Sequence, residues 1–102
     1  MALRLIWSPE AIEDIESRAA YIERDSAWYA KAVVSKIVAT VDAIPEYPEP
    51  GRMVPERGDP AIRERLVYYC RIIYRVEATR LLIVAVIHDS RLLENLLSQR
   101  GS

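Results

Sequence analysis

Lysine vanishes from this chain after Lys36: every later basic residue is an arginine, nine of them from Arg52 to Arg100. Cysteine is almost absent as well. A single Cys70 excludes an intrachain disulfide and any thiolate zinc cluster, and its place inside an apolar stretch suits an inert packed thiol rather than a nucleophile. No metal site or cofactor is expected. No apolar run approaches the roughly 20 residues a bilayer-spanning helix needs. Behind Trp7 the N-terminus carries Glu10, Glu13 and Asp14 where a secretory segment would be basic and then apolar. The expectation is a cytoplasmic protein with no membrane partner. Glycine is scarce too, three residues in all, and two of them fall with five of the six prolines between Pro45 and Pro60. That stretch supports neither helical nor strand periodicity and reads as one long loop over 45–61, a length usually reserved for functional or mobile segments.

Repeats, low-complexity tracts and candidate domain boundaries are missing, so residues 1–102 read as a single domain. At 51% hydrophobic residues it lies near the lower end of what buries a self-sufficient core, and a homodimer or a tightly bound partner would supplement it. A net charge of −1 hides an asymmetry: residues 1–51 hold five Lys/Arg against nine Asp/Glu, whereas residues 52–102 hold nine Arg against six Asp/Glu. The C-terminal half should therefore carry the cationic site, although an acidic protein is a poor non-specific binder of nucleic acid.

Leu3 to Trp7 forms a short apolar strand that meets Ser8-Pro9-Glu10, a helix start with a capping hydroxyl, a proline suited to the first turn and a carboxylate at the positive dipole end. Ile12, Ile15, Ala19 and Ile22 then recur at three and four, with Glu13, Glu16, Arg18 and Glu23 expected outside the stripe. Asp25-Ser26 breaks and recaps the chain. Ala30, Val33, Val34, Ile37, Val38, Val41 and Ile44 repeat the pattern up to Pro45, so two helices form an antiparallel hairpin. Ile62–Val67, Tyr69–Val76 and Leu81–His88 read as three successive strands. The last is apolar from Leu81 to Ile87, as expected of a strand covered on both faces, and is taken as the centre of the sheet. Leu92, Leu93, Leu96 and Leu97 suggest a short closing helix. The fold class expected is α+β: an N-terminal strand, an antiparallel helical hairpin, a three-stranded antiparallel meander completing one sheet, and a short C-terminal helix, in the order β-α-α-β-β-β-α.

The alternation of side chains in a strand puts Tyr69, Arg71, Ile73 and Arg75 on one face, with Ile72, Tyr74 and Val76 on the other. One face then reads as core and the other as a charged platform. Guanidinium offers a planar fork of donors that matches phosphate or carboxylate. Arg63 and Arg65 share a face with each other and can extend the platform, or serve as solvated charge protecting an edge strand. Arg71 and Arg75 can bind phosphate, grip a partner's carboxylates, or pair across strands with Glu64 and Glu77. His88, the only histidine, has a proton affinity suited to acid or base work, but can equally be a capped residue at the end of a buried strand. Trp28 and Tyr29 are expected to anchor the helical hairpin on the sheet.

Taken in order, Trp7-Ser8-Pro9-Glu10-Ala11, Tyr21-Ile22, Pro50-Gly51-Arg52, Ile62-Arg63-Glu64, Tyr69 to Val76 and Val86-Ile87-His88-Asp89-Ser90-Arg91 resemble the RelE/ParE superfamily of toxins from type II toxin–antitoxin modules, including plasmid stabilisation systems. The resemblance spans nearly the whole chain. It implies a growth inhibitor neutralised by a cognate antitoxin whose C-terminal segment folds along the toxin. RelE/YoeB-like members cut ribosome-bound mRNA by 2′-OH attack on the adjacent phosphate, which needs a base, an acid and cations; ParE-like members bind and stall DNA gyrase. On the nuclease reading Arg71 matches the arginine that contacts the scissile phosphate, His88 matches the acid/base histidine, and Glu56 is a loose counterpart of the catalytic glutamate. Against it, Asp89 stands where those nucleases have a tyrosine, and the lysines of RelE-like sites are missing. The extension Leu92–Ser102 resembles the ParE-like branch, which this reading favours. There Arg63, Arg65, Tyr69, Arg71, Arg75 and Arg91 are candidates for binding an anion or partner. A third reading is an interaction module of the same fold without toxicity.

Overall fold

The computed structural model describes residues 3–46, 52–55 and 58–88. Over them the chain runs β1 (Arg4–Trp7), α1 (Pro9–Glu23), α2 (Ala27–Ala43), β2 (Arg52–Met53), β3 (Ile62–Val67), β4 (Cys70–Val76) and β5 (Arg80–Ile87). One five-stranded sheet has the order β1-β5-β4-β3-β2, with β1 parallel to β5 and every other pairing antiparallel. The expected α+β architecture holds, with two differences. The middle strand is β4, not the apolar β5, because β3 and an additional edge strand, β2, lie beyond β4 and balance β5 and its parallel neighbour β1 on the other side. The proline-rich loop contributes a two-residue edge strand, β2, too short to leave a periodic signal. The proposed helix at Leu92–Leu97 lies outside the described residues.

Both helices begin as the sequence indicates. Ser8 Oγ accepts from the Ala11 N–H at 3.0 Å with Pro9 in the first turn, and Ser26 Oγ accepts from the Tyr29 N–H at 3.1 Å. The inward stripe of α1 is turned from the expected one: Ala11 and Ile22 are buried with Ile15 partly so, Arg18 lies among them, and Ile12 is 46% exposed. A stripe at 11, 15, 18 and 22 fits the helical period as well as one at 12, 15, 19 and 22; periodicity alone favoured the more apolar option. In α2, Ala30, Val33, Ile37 and Val41 are buried as expected, whereas Val38 is exposed.

The sheet has hydrophobic residues on both faces. The helices cover Val67, Cys70, Ile72, Tyr74, Leu81, Ile83 and Val86 on one side. On the other, Val54, Ile62, Ile73, Val84, Ala85 and Ile87 form a second, smaller core. Val54, completely buried just after β2, holds this face through an N–H donated to the Ile62 carbonyl at 3.2 Å. The expected bare platform on that side of β4 is therefore corrected: part of the proline-rich loop folds over it.

A register shift between Ile73 and Tyr74 bulges β5, so that Ile73 faces Ala85 and Tyr74 faces Ile83 with Val84 extra. The extra residue sends the neighbouring Val84 and Ala85 into the same small core. It also occurs just beyond the end of β1, whose Trp7 pairs with Ile83, so the outer edge of β5 loses its strand partner there. The start of α1 takes over. Ser8 donates its N–H to the Ile83 carbonyl at 3.0 Å and its hydroxyl to the Val84 carbonyl at 3.2 Å, while Asp14 Oδ2 accepts from the Val86 N–H at 2.9 Å. Buried backbone groups left unpaired cost about 1–3 kcal/mol each, so these side chains decide where α1 crosses the sheet. Ser8→Ala removes the helix cap and the Val84 partner together, and should lower unfolding free energy by roughly 1–3 kcal/mol, read as a lower urea midpoint at unchanged slope.

Candidate functional site

The arginines expected to share one platform divide between the two sides of the sheet. Cross-strand partners share a face, so Arg71 and Arg75 lie on the side of the small core, opposite Leu66 and Ile62. Arg63 and Arg65 pair with Tyr74 and Ile72 and belong to the helix-facing side. The expectation that they extend the Arg71 platform fails because Glu64, not its neighbours, is in phase with Arg71. Arg63 donates its Nε–H to the Pro60 carbonyl at 2.8 Å.

Arg71 is 8% exposed and Glu64 only 1% exposed, with Arg71 Nε donating to Glu64 Oε2 at 2.6 Å. The second carboxylate oxygen accepts from Arg52 Nε on β2 at 2.5 Å, and the Arg52 side chain is 61% exposed. Glu64 thus sits under the sheet surface between two guanidiniums, one buried and one at the rim. The cross-strand pairing of Arg71 with Glu64 that the sequence allowed is the one formed. Glu77 pairs instead with Arg80 at the turn into β5, and Arg75 makes no ion pair among the described residues.

His88 follows Ile87, and Ile87 is the cross-strand partner of Arg71. One residue further along an alternating strand reverses the direction, so His88 projects to the helix side. There it lines a crevice of about 20 Å³ with Arg18, Tyr29, Tyr68, Tyr69 and Cys70. Tyr69 is not in strand phase with Arg71: it occupies the Tyr68-Tyr69 turn between β3 and β4 and stands edge-on to His88, ring centroids 6.2 Å apart. Tyr68 meets Tyr29 edge-on at 6.2 Å. Its φ of 54° puts a bulky aromatic in the left-handed region, a conformation that glycine adopts freely and other residues hold at a cost of about 1–2 kcal/mol. Trp28 is 79% exposed and does not anchor the hairpin.

Beneath these rings Cys70 is buried. Burial pushes its thiol above the ordinary value, outweighing the opposing pull of the Arg18 guanidinium, so the thiol stays protonated near neutrality, as expected of a packed cysteine. Arg18 also lies over the Tyr21 ring at 5.1 Å. Glu56 and Arg91 lie outside the described residues. Among the described residues, no group of three or more His, Cys, Asp or Glu side chains could hold a metal, and no helix is long and apolar enough to cross a membrane.

The sequence from residue 5 to residue 93 matches the family model described as the ParE toxin of the type II toxin–antitoxin system parDE. The chain belongs to the ParE toxin family. A Sinorhizobium fredii (strain NGR234) toxin candidate, Y4kP, is 41% identical over 49 residues, which make up 48% of this chain and 51% of Y4kP. The chain thus spans about half the length of that curated relative. Among solved structures, a chain of the chromosomal ParDE system of P. aeruginosa superposes with a TM-score of 0.69 at 19% identity, over 83% of this chain and 94% of the other. A YoeB dimer from Staphylococcus aureus gives 0.56 at the same identity and coverage. At that identity both likenesses speak for a shared fold.

Within this ParE-family chain the buried carboxylate is the residue whose importance the sequence hid. It appeared as one possible partner for Arg71, and nothing in its local context marked it as the residue that both arginines need. Glu64→Gln should destabilise by about 3–5 kcal/mol, because Arg71 would keep a buried charge without its counterion. Replacing Glu64 and Arg71 together by leucine and methionine should restore most of that loss in urea denaturation.

Proposed function

We propose that this ParE-family chain is a growth-inhibiting toxin that works by binding and stalling DNA gyrase, and that a cognate antitoxin neutralises it. One observation carries the preference for binding over RNA cleavage: Arg71 is buried against Glu64 on one side of the sheet, and His88 stands on the other. Cleavage by 2′-OH attack needs proton transfer and a cation at one phosphate, with partners within about 3 Å of the reacting atoms. An arginine already neutralised by its own chain, and aimed away from the histidine, supplies neither the charge nor the geometry. The acidic overall balance points the same way, since binding RNA through phosphate contacts rests on net positive fields.

Controlled expression in bacteria, with DNA and protein synthesis followed separately, tests this reading. DNA replication should fail first, with damage signalling, and purified toxin should inhibit supercoiling by gyrase. His88→Gln should keep growth inhibition within about threefold, since a histidine that transfers no proton contributes only packing; loss of a true acid or base costs roughly 10²–10⁴ in rate. Immediate arrest of translation with cleaved mRNA, abolished by His88→Gln, would establish the endoribonuclease instead.

A further inference from the structure

We infer that the tyrosine-capped end of the sheet, formed by Tyr68 and Tyr69 with Tyr21 and Arg24 at the rim, is the surface that docks on a folded target protein bearing an acidic, apolar-lined recess. This deepens the proposed function and rests on it for the identity of the target. Tyr69 is 77% exposed, Tyr21 58% and Tyr68 54%, and Arg18, which lines the crevice with Tyr68 and Tyr69, also lies over the Tyr21 ring, so the three tyrosines belong to one end of the molecule. Tyrosine is enriched at the energetic centre of protein interfaces because its ring is large, rigid and amphipathic. These rings are held in advance. Cys70, Val67, Ile22 and Val33 are packed below them, and edge-on contacts to His88 and Tyr29 support Tyr69 and Tyr68 from the side, which lowers the side-chain freedom lost on docking.

The backbone at the tip points the same way. A two-residue turn with positive φ at its first position favours glycine, yet here the position is Tyr68. The fold gains the edge contact to Tyr29 from a tyrosine there, which at most offsets the backbone cost, whereas a binding surface gains a projecting ring. Residues in such strained conformations gather at functional sites.

Shape and charge select the partner. The crevice among Tyr68, Tyr69 and His88 holds no more than a water, so this part of the surface offers knobs rather than a hole. An extended or helical segment needs a trough, and the described helical layer offers such room elsewhere, about 260 Å³ lined by Trp7, Ile12, Ile15 and Val38 and about 430 Å³ lined by Ala19, Ala27, Ala30 and Val34. Projecting rings instead fit a recess already formed in a folded protein. Arg18 and Arg24 lie over Tyr21 at 5.1 and 6.0 Å, which keeps two cations beside the aromatic surface and calls for carboxylates opposite. A single-stranded nucleic acid is the poorer fit. Asp25 borders the same hollow as Tyr21 and Arg24, which breaks a phosphate track.

Tyr68→Gly and Tyr69→Ser test this in the full chain. Tyr68→Gly should leave the melting temperature close to wild type, since relieving the backbone offsets the lost edge contact to Tyr29, while lowering growth inhibition at equal expression at least about tenfold, the effect of losing one interface anchor. A merely structural tyrosine would not separate these two readouts. Tyr69→Ser should keep the melting temperature close to wild type, lose inhibition by a similar factor, and bind purified cognate antitoxin with unchanged affinity. Undiminished inhibition by both variants overturns the inference. Loss of antitoxin affinity along with toxicity gives the surface to the antitoxin, and loss of binding to a single-stranded oligonucleotide gives it to nucleic acid; each is also a refutation. If the wild-type chain arrests growth without inhibiting gyrase, the target assignment fails, while the growth-inhibition readout of the two variants still decides whether this surface meets whatever folded target the toxin has.

Discussion

A carboxylate excluded from water must find cations, and Glu64 finds two. That requirement organises one whole side of the sheet. It turns Arg71 inward, draws Arg52 across from β2, and so closes part of the proline-rich loop over the hydrophobic residues of β3, β4 and β5. Val54, next to Arg52, completes the small core. Ion pairs of this kind do little for net stability compared with apolar residues of the same volume, because two charges have to be desolvated, but either partner alone would be severely unfavourable. The pair therefore acts as a constraint on arrangement: where Glu64 lies, Arg71 must follow, and a guanidinium so occupied is not offered to a phosphate.

A second constraint acts on the opposite edge. β5 outruns β1, and the bulge at Val84 falls where the strand partner stops. Ser8 and Asp14, both from the first two turns of α1, take up the exposed backbone groups. The link runs from a three-residue capping signal in sequence, through the direction in which α1 leaves the sheet, to the position of Arg18 and Ile22 beneath the Tyr68-Tyr69 turn. The chemistry-bearing end of the molecule is thus positioned from the N-terminus, and its exposed rings project from a packed base.

These two constraints separate residues that a nuclease would bring together. His88 belongs with Tyr69, Cys70 and Arg18; Arg71 belongs with Glu64 and Arg52. A fold shared with a YoeB structure does not carry catalytic geometry with it, since function resides in the placement of particular groups. In this chain that placement leaves His88 and Arg71 on opposite sides of the sheet.

Much was legible in the order of the residues. Ser8-Pro9-Glu10 gave the helix start, the alternation from Cys70 to Val76 gave the two faces of β4, Leu81–Ile87 gave a strand buried on both sides, and the ordered motifs gave the family. Each of these is a local property: a cap, a period, a composition or a spacing. What folding alone decided is non-local. The relative phase of β3 and β4 put Glu64 rather than Arg63 and Arg65 beside Arg71, the bulge placed Val84 and Ala85 together, and the turn at Tyr68 took Tyr69 away from the arginine face. Strand phase depends on which residues hydrogen-bond across the sheet, and a shift of one residue reverses every side chain. The sequence therefore determined which elements form and what they carry, while the pairing between them decided which charges meet and which rings remain open to a partner.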